Sequence, residues 1–190
     1  MQEIPLIKAL QNGDETAFKA LVIMYRPMVH RVIFRMLQND NDTEDLVQDV
    51  FIQIWQSICN FRGEAGLKTW IYRLAVNKAI SHLRWKRIRS FMSVSGNSSK
   101  INSEDRIHID KSSGFEKLAQ MDSNKAIIMA MQKLPANQSA AFMLSKAEGL
   151  SNSEIAVVLN TTIGAVESLI FRAKKQLKES LENYYDESIS

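Results

Sequence analysis

The chain has 190 residues, of which 45% are hydrophobic and 24% are charged, and its formal net charge is +3. This hydrophobic share supports globular packing and excludes wholesale disorder, and the length leaves room for two small cores. Seven Gly and three Pro are too few for a many-turned β fold, so the composition predicts an all-α protein. The single cysteine, Cys59, excludes an intrachain disulfide framework and indicates a reducing compartment.

The sequence contains no apolar run that approaches the length of a membrane span, and Met1–Leu10 lacks the pattern of a signal peptide. We therefore expect a cytoplasmic protein with no direct membrane insertion. His30, His82 and His108 share no ligand spacing with one another or with Cys59. Phosphate-binding loops and catalytic motifs are also missing from the sequence. We expect no metal, no cofactor and no catalysis.

The first predicted helix carries an apolar stripe over Glu15–Leu37, and Pro27 is expected to kink it or divide it in two. A polar turn at Asn39–Asp42 follows. The next segment is strongly periodic, with Asp42 or Thr43 expected to cap its start, and its stripe consists of Leu46, Val47, Val50, Phe51, Ile54, Trp55 and Ile58. After a break over 60–66, the pattern predicts a further helix over 68–87.

Charge is distributed in two blocks of opposite sign. Between Asn39 and Phe61 the chain has acids and no Lys or Arg, whereas between Arg73 and Arg89 it has six basic residues and no acid. Either block could be an ordinary solvated face. However, aromatic residues are interleaved with the basic block, which favours nucleic acid as its partner. Opposite charges in one half of the chain indicate two different partners.

The composition changes at Ser90. From there to Ser113 the chain is rich in Ser, Asn and Gly and has no sustained period, which predicts a flexible linker. Helical regularity resumes near Met121. We therefore predict two small helical domains, at 1–89 and 121–190, joined by a flexible linker over 90–120.

The sharpest local pattern lies in Gly149–Leu177. Ser151-Asn152-Ser153-Glu154 is a capping box that opens a short helix, and a polar turn over 160–162 places Thr162 to cap a second one. In the second helix the inward stripe is Val166, Ile170, Ala173 and Leu177, whereas Ser168, Phe171, Arg172 and Lys175 lie outward. This arrangement predicts a helix-turn-helix, whose second helix enters a major groove and places Lys174, Lys175 and Lys178 on phosphates.

Several of these segments resemble one family. Asp42–Phe51 (DTEDLVQDVF), Phe61–Glu64 (FRGE) and Lys68–Asn77 (KTWIYRLAVN) closely resemble the second region of extracytoplasmic-function (ECF) sigma factors of bacterial RNA polymerase. The run from Gly149 through Ala165–Ala173 (AVESLIFRA) is similar to that family's fourth region. The resemblance covers most of residues 13–181 apart from the linker. A helix-turn-helix alone is common, but two regions in this order are specific.

The resemblance implies a role in transcription initiation and assigns residues to three surfaces. The core-polymerase surface would consist of Asp45, Leu46, Gln48, Asp49 and Phe51. The surface for the −10 promoter element, with Phe61 taking a flipped base, would consist of Phe61, Arg62, Arg73, Asn77, Lys78, Arg84, Lys86 and Arg87. The surface for the −35 element would consist of Thr162, Glu167, Ser168, Phe171, Arg172, Lys174 and Lys175.

Within the −35 surface, many relatives carry a basic residue at the position of Glu167 and an arginine at that of Leu169. Others share the form seen in this chain, so the promoter sequence is not predicted. The expected partners are core RNA polymerase and promoter DNA, and the family also implies an anti-sigma factor.

Two other classes of protein share parts of this pattern. A dimeric helix-turn-helix regulator would account for the C-terminal half but would not explain the acidic and basic helices of the N-terminal half. It would also require a self-complementary apolar surface, which the sequence does not reveal. An adaptor that binds a partner helix would not explain the paired basic helices. The size of the free chain and a transcription assay with core polymerase separate these classes.

Overall fold

The computed structural model describes residues 3–95 and 126–189. Within these ranges the chain is helical and contains no strand, which confirms the predicted all-α class. The helices are α1 (Glu3–Gln11), α2 (Glu15–Leu37), α3 (Asp40–Ser57), a 3₁₀ turn (Ile58–Asn60), α4 (Leu67–Ser95), α5 (126–133), α6 (Ala136–Lys146), α7 (Asn152–Leu159) and α8 (Ile163–Ile189). We call α1–α4 the N-terminal bundle and α5–α8 the C-terminal bundle.

None of the helices in the described ranges is by itself long and apolar enough to cross a membrane. The segments 152–159 and 163–182 together reach that length and composition, but they are bent by 98° relative to each other. Both segments supply residues to the core of the C-terminal bundle, including Ile155, Val158 and Val166.

Helix α2 is continuous through Pro27, so the expected division into two helices does not occur. Proline has no N–H to donate to the carbonyl of Ile23, four residues earlier. Ile23 is 78% exposed, so this turn lies on the outer face of the helix, where water can satisfy the carbonyl. The opposite face holds α2 in place because Leu21, Val29 and Ile33 are fully buried.

Helix α3 begins earlier than the sequence predicts. Asn39, rather than Asp42 or Thr43, is the N-cap, and its side chain accepts a hydrogen bond from the Asp42 backbone N–H at 2.7 Å. Thr43 is buried inside the first turn and its hydroxyl donates to the Asn39 carbonyl at 2.6 Å. The expected polar turn over 39–42 is therefore the first turn of the helix.

Helix α4 is longer than predicted, because it continues to Ser95 instead of ending near Arg87. The first residues assigned to the linker, 90–95, are thus helical. The remainder of the predicted linker lies outside the described residues.

The two bundles pack against each other. Helix α7 packs on α4, α6 contacts both α2 and α4, and one continuous apolar cluster extends from Leu6 in α1 to Ile170 in α8. A smaller cluster joins α5 to α8 through Ala130, Leu134, Ala173 and Leu177. The sequence predicts the two bundles but not their contact.

Glu148, in the segment between α6 and α7, is the polar centre of this contact. Its side chain is 2% exposed and accepts hydrogen bonds from Arg31 (Nε at 3.0 Å and Nη2 at 2.9 Å), Arg35 (2.6 Å) and the Tyr72 hydroxyl (2.9 Å). All three donors belong to the N-terminal bundle. Gly149, with φ +69°, directly follows and takes the left-handed conformation that a side chain would disfavour.

Opposing effects set the ionisation of this cluster. Burial raises the pKa of Glu148, but the hydrogen bonds from Arg31 and Tyr72 and the charges of Arg31 and Arg35 outweigh it, so the pKa lies below its ordinary value of 4.5. Burial and the hydrogen bond to Glu148 raise the pKa of Tyr72 to about 12, so its hydroxyl remains a donor at neutral pH. The carboxylate is therefore charged and fully engaged.

Glu148→Gln is expected to lower the free energy of unfolding by about 1–3 kcal/mol at neutral pH, because charged hydrogen bonds are lost. The lowered pKa means that this stabilisation is complete above pH 4.5 and disappears as the pH falls through the pKa of the folded state. Urea denaturation of both proteins, from neutral pH to below 4.5, measures the effect. The difference between the proteins should shrink over the acidic part of this range, and a difference independent of pH would contradict the assignment.

Candidate nucleic-acid interface

The helix-turn-helix predicted from the sequence is confirmed in the C-terminal bundle. The Ser151 hydroxyl accepts from the Glu154 backbone N–H at 3.3 Å, and the Glu154 carboxylate accepts from the Ser151 backbone N–H at 2.8 Å, which completes the capping box. Asn160 ends α7 in the left-handed conformation, with φ 51°. The Thr162 hydroxyl accepts from the Ala165 N–H at 3.2 Å and caps α8. The resulting 98° between the helices is typical of this motif.

The outward face of α8 is open to solvent. Val166, Ile170, Ala173 and Leu177 are buried as predicted, and this directs the other side of the helix outward. Every residue predicted for the −35 surface is exposed: Thr162, Glu167, Ser168, Phe171, Arg172, Lys174 and Lys175. Phe171 is 69% exposed, an unusual position for a phenylalanine in a folded protein. The Ser168 hydroxyl donates to the Gly164 carbonyl at 3.0 Å, which leaves its lone pairs available.

The basic residues predicted for the −10 surface extend along α4. Four of them are exposed to solvent: Asn77, Arg84, Lys86 and Arg87. Arg73 is partly buried. Two of them also contact the C-terminal bundle: Arg84 donates to the Asn137 side-chain oxygen at 3.1 Å, and Arg87 donates to the Leu134 carbonyl at 3.4 Å.

Phe61 lies in the loop between the 3₁₀ turn and α4, beside the exposed Arg62. Its ring is half-buried, with its centroid 5.1 Å from that of Trp70 and the two planes at 50°. The loop is fixed to α1, because the side-chain amide of Gln11 donates hydrogen bonds to the backbone carbonyls of Ile58 (3.4 Å) and Phe61 (3.0 Å). The prediction presents Phe61 freely in a loop, whereas the structure packs its half-buried ring against Trp70 and the core of the N-terminal bundle.

The residues predicted to bind core polymerase separate into two groups on α3. Asp45, Gln48 and Asp49 are exposed, whereas Leu46 and Phe51 are in the core, at 9% and 7% exposure. Leu46 and Phe51 belong to the stripe that packs α3 against α2 and α4. These two side chains therefore offer little surface to a partner in this arrangement, and their contact with polymerase stays a prediction.

The two charge blocks meet each other in the structure. Lys78, predicted for DNA, donates to Asp49, predicted for polymerase, at 3.1 Å. Further along α4, His82 and Lys86 both lie close to Asp42 of α3, at 3.2 Å and 3.5 Å. Antiparallel packing of α3 and α4 brings these residues together across 29 to 44 positions of sequence. Neither pairing is visible in the linear pattern.

Two residues that shape this interface carry no signal in the sequence. Gln11 supports the Phe61 loop, and Glu148 ties the bundles together. Neither residue belongs to a periodic stripe or a charge block. Their partners lie 50 and 117 residues away, so no local signal identifies them.

Comparisons with known proteins agree with this architecture. The Sigma-70 region 2 family matches residues 21–88, and the Sigma-70 region 4 family matches residues 124–177. The RNA polymerase sigma-H factor of Pseudomonas aeruginosa is 30% identical over 182 residues, which cover 95% of this chain and 94% of the relative. The ECF RNA polymerase sigma-E factor of Escherichia coli K12 is 30% identical over 178 residues, or 93% of each chain.

Solved structures share the fold. CnrH, determined in complex with the cytosolic domain of CnrY, aligns with a TM-score of 0.65 at 20% identity, covering 95% of this chain and 97% of that one. The sigma factor RpoE of Bartonella quintana, determined with the anti-sigma factor NepR, aligns with a TM-score of 0.61 at 22% identity, covering 87% and 96%. With two family matches in order and relatives that align over 95% and 93% of this chain, the chain belongs to the ECF sigma factors, which are non-enzymatic transcription initiation factors.

Proposed function

We propose that this sigma factor uses three separate surfaces during initiation: α3 for core RNA polymerase, α8 for the −35 element, and α4 with the Phe61 loop for the −10 element. The observation that carries the proposal is the open outward face of α8 in a fully capped helix-turn-helix. In this proposal the N-terminal domain is 1–89 and the C-terminal domain is 121–190.

The α8 surface has the chemistry of a major-groove reader. Arg172 is exposed near the middle of the outward face, where its guanidinium can donate to a base edge. Phe171 offers an apolar contact to a thymine methyl group, and Glu167 can accept from a cytosine amino group. Lys174 and Lys175 supply positive charge for flanking phosphates, which fixes register without reading sequence.

Arg172→Ala is expected to weaken promoter use through the −35 element by about 1–3 kcal/mol, the value of a bidentate base contact, while the affinity for core polymerase stays unchanged. Transcription from promoters with altered −35 sequences, beside competition binding to core, measures both quantities. Lys133→Ala is the matched control, because it removes an exposed positive charge from α5 of the same bundle. Equal loss on every promoter would make Arg172 a phosphate contact, and lost core binding would refute the proposal.

The surface formed by α4 and the Phe61 loop favours the open promoter because it binds the unpaired −10 strand. Unpairing a duplex is unfavourable, so the protein must bind the open strand better than the closed one. The half-buried Phe61 ring can stack on an unpaired base, and the exposed Arg62, Asn77 and basic residues of α4 can hold the adjoining backbone. Contact with the Trp70 ring already restricts the Phe61 side chain. Less conformational entropy is therefore lost when a base stacks on it.

The partners proposed for the whole chain follow from these surfaces. Core polymerase meets the acidic face formed by Asp45, Gln48 and Asp49, and the site of action is the cytoplasm, where polymerase and DNA are found. The RpoE and CnrH structures contain NepR and CnrY as partners, which supports an anti-sigma factor as a further partner of this chain.

Run-off transcription with purified core polymerase on a promoter library tests the proposed function. The chain should direct initiation from a subset of templates that share two spaced elements. Specific DNA binding by a free dimer, without stimulation of core, would instead indicate a conventional helix-turn-helix regulator.

A further inference from the structure

We infer that Trp85 and Arg89, near the C-terminal end of α4, form a second stacking site for an unpaired base of the promoter. This site lies outside the residues predicted for the −10 surface and outside the segments that carry the resemblance to sigma factors. The inference rests on the proposed binding of the open strand along α4, and it adds a second point at which that strand is held.

Trp85 is exposed although it lies in the middle of a long helix. Among the side chains that the structure describes in α4, the last buried one is Ile80, and Leu83 is the last that packs partly on the core. Trp85 is 55% exposed, and Ile88 and Met92 follow on the same side of the helix at 60% and 69%. The core therefore does not require this ring, and exposed apolar side chains grouped in this way mark a contact surface.

The charges around Trp85 select an anionic partner. Arg84, Lys86, Arg87 and Arg89 are all exposed, and α4 contains no acidic residue over its whole length. A second copy of the chain would bring like charges together, which disfavours self-association through this face. An aromatic ring among basic side chains is instead the combination with which proteins bind unpaired nucleic acid.

The Trp85 ring is already paired with a cation. The central carbon of the Arg89 guanidinium lies 5.0 Å from the ring centroid, and the ring of His82 lies beside it with the centroids 6.3 Å apart. His82 is in turn held by Asp42 of α3 at 3.2 Å. These neighbours restrict the ring before a base arrives, so less conformational entropy is lost on stacking. Bases stack on guanidinium planes as well as on aromatic rings, so both members of the pair can serve the site.

Trp85 lies on the same side of α4 as the Phe61 loop. Trp70, whose ring centroid is 5.1 Å from that of Phe61, precedes Trp85 by 15 residues. At about 3.6 residues per turn and about 1.5 Å per residue, the two tryptophans differ by only about 60° around the helix and are about 22 Å apart along it. Asn77 and Ser81, which lie between them on this side, are exposed.

This separation suits a single strand that reaches both sites. Stacked nucleotides rise by about 3.4 Å each, so about six of them cover the distance, and an unstacked strand covers it with fewer. Capture of one base at Phe61 holds the next part of the strand near Trp85, which raises its effective concentration there. Each base is available only after its pair has opened, so both contacts stabilise the open promoter and leave the closed one unchanged.

Two substitutions at one position test the site in the complex with polymerase. Trp85→Leu keeps an apolar side chain but removes the aromatic face, whereas Trp85→Phe keeps a ring. On a promoter recovered by run-off transcription, permanganate footprinting should show about tenfold less opening for Trp85→Leu, and Trp85→Phe should recover most of it. Affinity for core polymerase and formation of the closed complex should equal those of the parent. Met92→Ala is the matched control, because it removes another exposed apolar side chain from the same end of α4.

Abasic nucleotides locate the captured base. A pre-melted bubble carries one abasic nucleotide at a time, and the affinity of the polymerase complex is measured for each position. The parent should lose about tenfold in affinity at two positions, which are about three to six nucleotides apart. The loss at one position should disappear in Phe61→Ala, and the loss at the other should disappear in Trp85→Leu.

Several results would contradict the second site. Opening by Trp85→Leu at the level of the parent, or an abasic profile that this substitution leaves unchanged, would overturn the inference. Lost affinity of Trp85→Leu for core polymerase would make this end of α4 a protein contact, and an equal loss in the closed complex would make it a duplex contact; either result overturns the inference too. A position that depends on Trp85, with none that depends on Phe61, would refute the proposed role of Phe61 and leave the second site standing.

Discussion

Asp49→Lys is expected to weaken association with core RNA polymerase by about two powers of ten or more, because like charges brought together at an interface cost several kcal/mol. Asp49 is on the exposed acidic face of α3, and reversing its charge converts attraction into repulsion. Co-purification and competition binding with core polymerase measure the loss. The helix-turn-helix should remain intact, as shown by unchanged binding to a −35 duplex.

The pair between Asp49 and Lys78 requires a control. Lys78 Nζ lies 3.1 Å from the Asp49 carboxylate, so the substitution replaces an ion pair between α3 and α4 with two lysines. The double variant Asp49→Lys/Lys78→Asp restores that pair with reversed polarity. If the acidic face binds polymerase, the double variant should still bind core polymerase weakly, although its free energy of unfolding returns toward that of the parent. Recovery of core binding in the double variant would show that Asp49 acts only through α4, and wild-type binding by the single variant would assign the acidic face to another partner.

Phe61→Ala is expected to leave closed-complex formation nearly intact and to shift the closed-to-open equilibrium by about one to two powers of ten toward the closed state. Stacking of an aromatic ring on an unpaired base is worth about 1–3 kcal/mol and is unavailable while the base is paired. Permanganate footprinting of thymines in the −10 region measures opening directly. A template with a pre-melted −10 bubble should recover much of the lost activity.

Two comparisons separate base capture from packing. Phe171→Ala removes an exposed ring from α8 and should weaken the closed complex without a specific defect in opening. Thermal melting of Phe61→Ala reports the packing lost against Trp70, whose ring centroid lies 5.1 Å away. Normal opening on duplex DNA, combined with a lowered melting temperature, would make Phe61 a packing residue and transfer base capture to the segment 70–77.

The sequence alone determined the features that depend on neighbours a few residues apart. The capping box of Ser151 and Glu154, the cap at Thr162 and the buried stripe of α8 were all predictable, since hydrogen bonds and helical periodicity within one or two turns decide them. The same local patterns carry the resemblance to sigma factors. The start of α3 was misplaced by a few residues because Asn39, Asp42 and Thr43 are all competent caps.

Only the tertiary structure decided how these elements meet. Several contacts join residues that are far apart in the sequence. Asp49 pairs with Lys78, Phe61 contacts Gln11 and Trp70, and Glu148 accepts hydrogen bonds from Arg31. Their geometry depends on which helix faces pack together, and many packings satisfy the same apolar stripes. For that reason the three surfaces remain predictions from the sequence, whereas the fold determined which of their residues pair with one another.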